Sequence, residues 1–65
     1  MKPKITNGPD LRAYRLARRV HQSEVAREMG LSPGRVCHIE GKAEVSPEIA
    51  ERYCKAVKTV LEGGN

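Results

Sequence analysis

The sequence predicts an all-α fold, a compact four-helix domain with a helix-turn-helix at its centre, and three observations carry that prediction. The stretch QSEVAREMGLSPGRVCHIEG, Gln22 to Gly41, holds two short helical patterns separated by Gly30. Two Ser-Pro pairs, Ser32-Pro33 and Ser46-Pro47, have the composition of helix starts, a capping hydroxyl followed by a residue already fixed near the helical φ. After the second pair, Ile49, Tyr53, Ala56, Val57, Val60 and Leu61 recur at helical spacing, with Ala50 and Cys54 beside them.

Sixty-five residues make one small domain, close to the lower size at which a single apolar core holds a fold. There is no Trp or Phe, and only Tyr14 and Tyr53 are aromatic, so the core must be small and aliphatic and dimerisation would reinforce it. A dedicated catalytic cleft is not expected at this size. No nucleophile-base pair, carboxylate pair or phosphate loop can be read, so the chain is not expected to be an enzyme or to carry a cofactor.

Taken in order, Met1 to Gly8 lacks a helical period and reads as a flexible arm. Its Lys2 and Lys4 could meet phosphates, although a plain tail is the simpler reading. The domain proper is expected at 9–62, with 63–65 frayed. Helix 1 should run from Pro9 to Arg19, with Asp10 complementing its positive end. Leu11, Tyr14 and Ala17 form its buried stripe, joined by Leu16 and Val20 at the margins, while Arg12, Arg18 and Arg19 are solvated. Arg15 falls close to that stripe and needs a partner there, and Glu40 is available at the end of helix 3.

Helix 2 should start at Gln22 with only His21 as a weak cap and end at Met29, with Gly30 supplying a positive φ. Val25, Ala26 and Met29 are its dry face, and Ala26 is small enough to let the next helix approach closely. Helix 3 opens at Ser32-Pro33, with Leu31 and Val36 at the spacing of a hydrophobic staple. Val36 and Ile39 face inward, which leaves Pro33, Gly34, Arg35 and His38 outward and Cys37 at the edge. A proline, a glycine and one arginine are a poor choice for helix stability alone, so another constraint is expected on that face. Helix 4 should run from Pro47 to Leu61 or Glu62, and its stripe is wide enough that Val57, Val60 and Leu61 are a candidate dimer seam.

The 12 basic and 8 acidic residues, net +4, are unevenly placed. Residues 1–42 carry nine Lys or Arg against four acids, a net of +5, and residues 43–65 carry three against four, a net of −1. A basic front suits a polyanion partner, although a solvated surface would look the same. Cys37, Cys54, His21 and His38 do not fall at zinc-ligand spacing, so no metal site is expected. Cys54 reads as a small core residue, and Cys37 as an idle thiol or, less simply, an oxidation sensor. No apolar run approaches the ~20 residues of a membrane span and no signal-type apolar segment follows the N-terminus, so the expected location is the cytoplasm.

Leu11-Arg12-x-x-Arg15, Gln22 seven residues on, Val25-Ala26-x-x-Met29-Gly30, the Ser32 cap, Val36, Ile39 and Glu40-Gly41-Lys42 together resemble the Cro/C1-type (XRE-like, lambda-repressor-like) helix-turn-helix family of phage and bacterial repressors. The likeness covers roughly residues 8–61. It implies a sequence-specific regulator of double-stranded DNA, usually a repressor, acting as a homodimer with helix 3 (residues 32–40) in the major groove. It places Gln22, Ser23, Ser32 and Lys42 at DNA phosphates, and Pro33, Gly34, Arg35 and His38 at base edges. It also makes Arg15 and Glu40 a partly buried ion pair tying helix 1 to helix 3. Three positions depart from the family pattern: Arg19 stands for the glycine that ends helix 1, the loop after Glu40 is one residue shorter, and Pro33 and Gly34 stand for polar reading side chains. Hydrogen-bond readout then rests on Arg35 and His38, and specificity needs a two-fold site, DNA shape or another regulatory protein. A protein-interaction or antitoxin-type module on the same fold is the alternative.

Overall fold

The computed structural model describes residues 5–63, and among them the only regular elements are four helices: α1 (Gly8–Ala17), α2 (Gln22–Met29), α3 (Pro33–Glu40) and α4 (Pro47–Leu61). The expected all-α four-helix architecture is therefore observed. Each start has a local cause. Asn7 caps α1, its side-chain oxygen accepting the Asp10 backbone N–H at 2.8 Å, with Pro9 in the first turn. Ser32 and Ser46 cap α3 and α4 by accepting the N–H groups of Arg35 and Ile49, each at 3.3 Å. The weak start of α2 is reinforced from inside the helix, since Glu24 reaches back to accept the His21 backbone N–H at 2.9 Å.

Helices α1 and α2 end in the same way. After α2, Gly30 takes φ +70°, the Leu31 N–H donates to the Ala26 carbonyl at 2.8 Å and the Gly30 N–H donates to Arg27 at 3.2 Å. After α1, Arg19 takes φ +58°, the Val20 N–H donates to Arg15 at 3.3 Å and the Arg19 N–H donates to Leu16 at 3.0 Å. Both are Schellman closures, one on glycine and one on arginine. Helix α1 thus stops at Ala17 rather than Arg19, because the chain needs a left-handed residue to bring Val20 back onto the core. A non-glycine residue in that conformation costs about 1–2 kcal/mol. Arg19→Gly is therefore expected to raise stability by about 1 kcal/mol, less the extra chain entropy of glycine, read as a higher urea midpoint with unchanged slope.

α4 lies against α1 and α2, α2 against α3, and α1 against α3. Leu11, Val25, Val36, Tyr53 and Val57 are the largest fully buried side chains, and Val20, Ala26, Ile39, Val45, Ala50 and Ala56 complete the core. Three expectations are corrected by this packing. Ala17 and Leu16 are exposed while Val20 is buried, because α1 ends two residues early and Val20 folds under it. Val57 is fully buried in the monomer core and cannot belong to a dimer seam, Val60 is half-buried against the same core, and only Leu61 is exposed. The arm boundary at Gly8 also moves: the Val45 N–H donates to the Thr6 carbonyl and the Gly8 N–H to the Lys42 carbonyl, both at 2.8 Å, and Ile5 packs on the core. The rest of the expected arm, residues 1–4, lies outside the described residues, as do Gly64 and Asn65 of the expected frayed end. Among the described residues no helix is long and apolar enough to cross a membrane.

Candidate nucleic-acid interface

The site rests on a buried polar cluster under the end of α3. Glu40 is the last residue of α3, and its carboxylate turns into the core, where its side chain is 3% exposed. Arg15, with its side chain 7% exposed, donates from Nε to Glu40 Oε2 at 2.8 Å and from Nη2 to Oε1 at 3.3 Å. Its Nη1 donates to the Val20 carbonyl at 2.8 Å, so the guanidinium also closes the α1 corner. The Tyr53 hydroxyl, from the middle of α4, donates to Glu40 Oε2. Gln22, the first residue of α2, donates from Nε2 to Glu40 Oε1 at 2.8 Å. One carboxylate therefore binds a residue from each of the other three helices. No buried side-chain polar atom among the described residues lacks a partner.

The electrostatics follow from these contacts. Burial pushes the Glu40 carboxyl upward, but hydrogen bonds from Arg15, Tyr53 and Gln22 outweigh it and hold the group below its ordinary value. The bond to Glu40 raises Arg15 further against the opposing effect of desolvation. Burial, reinforced by the bond to Glu40, pushes the Tyr53 hydroxyl well above its usual range. At neutral pH the cluster is a carboxylate, a guanidinium and a neutral phenol.

The expected Arg15–Glu40 pair is thus present, in bidentate geometry. Tyr53 is the partner that sequence reasoning missed. It is the only aromatic residue in the α4 stripe, and a buried tyrosine needs an acceptor for its hydroxyl, which is the signal that could have found it. Gln22 is brought to the same carboxylate, so one amide hydrogen is committed inward and the other remains for an outside acceptor.

The opposite side of α3 is open. Pro33, Gly34, Arg35, Cys37 and His38 are all exposed while Val36 and Ile39 are buried. Ser23, near the start of α2, and Lys42, just beyond α3, are exposed as well. Ser32 is exposed, but its hydroxyl is already engaged as the α3 cap. Gln22 and Ser23 open α2 and Ser32 opens α3, so both sites lie at positive helix ends suited to a phosphate. Gly41 has φ −91° and ends α3 without needing glycine's conformational range. Cys54 is half-buried, and burial raises its thiol against the fields of Arg18 and Lys58. Among the described residues no three metal-ligating side chains come together. No family model, no curated protein and no solved structure matches this chain.

Proposed function

We propose that this chain is a sequence-specific double-stranded DNA-binding regulator of the Cro/C1-type helix-turn-helix family, a repressor that sets α3 in the major groove and acts as a homodimer in the cytoplasm. The observation that carries the reading is the Glu40 cluster. It fixes α3 and the first residue of α2 against α1 and α4 while leaving the outer face of α3 exposed, which is what a rigid reading element requires. The excess of basic residues in 1–42 supports it. In this reading Gln22, held by Glu40, keeps one N–H for a phosphate, Lys42 and the starts of α2 and α3 add phosphate contacts, and Arg35 and His38 read bases. Leu61 and the outer edge of Val60 replace the wider seam read from the sequence.

Affinity is expected to fall with salt at a slope of about −0.9 per phosphate neutralised. Arg35→Ala is expected to flatten sequence preference by about 1–3 kcal/mol at one base pair per half-site, whereas Gln22→Ala weakens binding to all sequences alike. Gel shifts with matched and scrambled duplexes separate the two effects. Arg35→Ala with unchanged affinity and preference would remove α3 from the role of reader. The alternative of a protein-interaction module has one observation in its favour: Pro33 and Gly34 occupy the exposed start of α3 and offer no side-chain hydrogen bond. Absence of any duplex binding at low salt, with another protein co-purifying, selects that reading.

A further inference from the structure

A groove of about 390 Å³ runs between α3 and α4. Met29, Leu31 and Ile49, all half-buried, form part of its floor, and Arg35, Lys42 and Arg52, all exposed, stand around it. No acidic residue lines it, and none of the three cations is paired with a carboxylate among the described residues. Its volume lies in the range of sites that take up ligand groups. Apolar side chains ringed by unpaired cations call for a ligand that is apolar at its centre and anionic on its flanks.

We propose that this groove is the docking site for an acidic peptide segment of a partner protein, which seats one aliphatic side chain on Met29, Leu31 and Ile49 and brings flanking carboxylates to Arg35, Lys42 and Arg52. Two comparisons favour this occupant. A duplex offers phosphates to the rim, but its thymine methyl groups, deep in the major groove, meet the exposed face of a seated α3 rather than the half-buried Met29, Leu31 and Ile49 beside α4. Three exposed cations around one groove are matched in charge by several carboxylates along one chain, and a single small anion leaves most of that charge unmatched. Arg35 belongs both to this groove and to the exposed face of α3, so a seated segment excludes duplex from that face. This last step rests on the DNA reading, while the groove itself does not.

The test uses the full chain and a fluorescein-labelled peptide of alternating aspartate pairs and leucine, followed by anisotropy. Two control peptides replace leucine by serine or aspartate by asparagine. The parent peptide is expected to bind, each control about tenfold more weakly, and Arg52→Glu to weaken the parent by about tenfold with an unchanged circular dichroism spectrum. Arg52 is exposed on α4 and outside the Glu40 cluster, so its reversal leaves the fold intact. Equal binding of the leucine-free peptide, or undiminished binding to Arg52→Glu, overturns the groove assignment whether or not the chain binds DNA. In a second arm the unlabelled parent peptide is added to a preformed complex with labelled duplex. Release of the duplex supports the exclusion, and a complex that persists at saturating peptide overturns it.

Discussion

Glu40→Ala is expected to destabilise the domain by about 3–5 kcal/mol, the cost of removing one partner from a buried ion pair and leaving the other charge in place. The magnitude follows from burial. Both side chains are almost wholly shielded, at 7% and 3% exposure, so the discount that applies to a surface salt bridge does not apply here. Without the carboxylate, Arg15 keeps only the Val20 carbonyl, and the Tyr53 hydroxyl and the Gln22 amide each lose their acceptor. Domains have about 5–15 kcal/mol to lose, and from the low end, where so small a core belongs, this loss leaves about 0–2 kcal/mol, so the variant should be only marginally folded.

The same carboxylate makes stability depend on pH. Its folded pKa lies below the ordinary carboxylate value, so its contribution is complete above that value and is lost as pH falls through the folded pKa. Urea midpoints should therefore drop as pH falls below the ordinary carboxylate range, and the fall should be shallower in Glu40→Gln. Coincident pH profiles for the two proteins would show that Glu40 is not the group responsible.

Gly8→Ala is expected to cost about 3 kcal/mol or more, the upper end of what overpacking does. A methyl carbon built on Gly8 runs into the backbone carbonyl groups of Ile39 and Glu40, and neither can swing aside as the end of a flexible side chain could. The start of α1 meets the end of α3 there, and the Gly8 N–H donates to the Lys42 carbonyl at 2.8 Å. Pushing the two apart strains this bond and shifts Glu40 relative to Arg15. Gly34→Ala is the matched control. The nearest atom to its new carbon is the Ser32 hydroxyl oxygen at 3.9 Å, so the change should stabilise α3 by up to about 1 kcal/mol through helix propensity alone. Urea denaturation of the pair reads both signs at once.

Much of this fold could be read from the chain because its helix boundaries are written in local chemistry. Ser32-Pro33, Ser46-Pro47 and Gly30 act within a few residues, and the structure has α2 and α3 at the expected residues and α4 ending at Leu61. The end of α1 could not be read in this way, since nothing in the composition of Arg18-Arg19-Val20 marks a left-handed arginine. Asn7 stands at capping distance from Asp10 but inside a stretch that reads as an arm, and the ties of Thr6 and Gly8 to the 42–45 loop are long-range bonds with no local signal. The ion pair was readable because an arginine in an apolar stripe demands a partner. The convergence of Gln22 and Tyr53 on the same carboxylate depends on how three helices cross, which no short window of sequence contains. The seam at Val57 failed for a related reason, because a wide apolar stripe does not by itself say how much of it the monomer covers.

The central claim, that the exposed face of α3 reads DNA, is tested most directly by selecting bound sequences from a random duplex pool and measuring the mass of the complex. A two-fold consensus with half-sites about 10 bp apart and a mass of two chains per duplex is the expected result. Recovery of the starting pool without enrichment, from a chain shown to be folded, would contradict it.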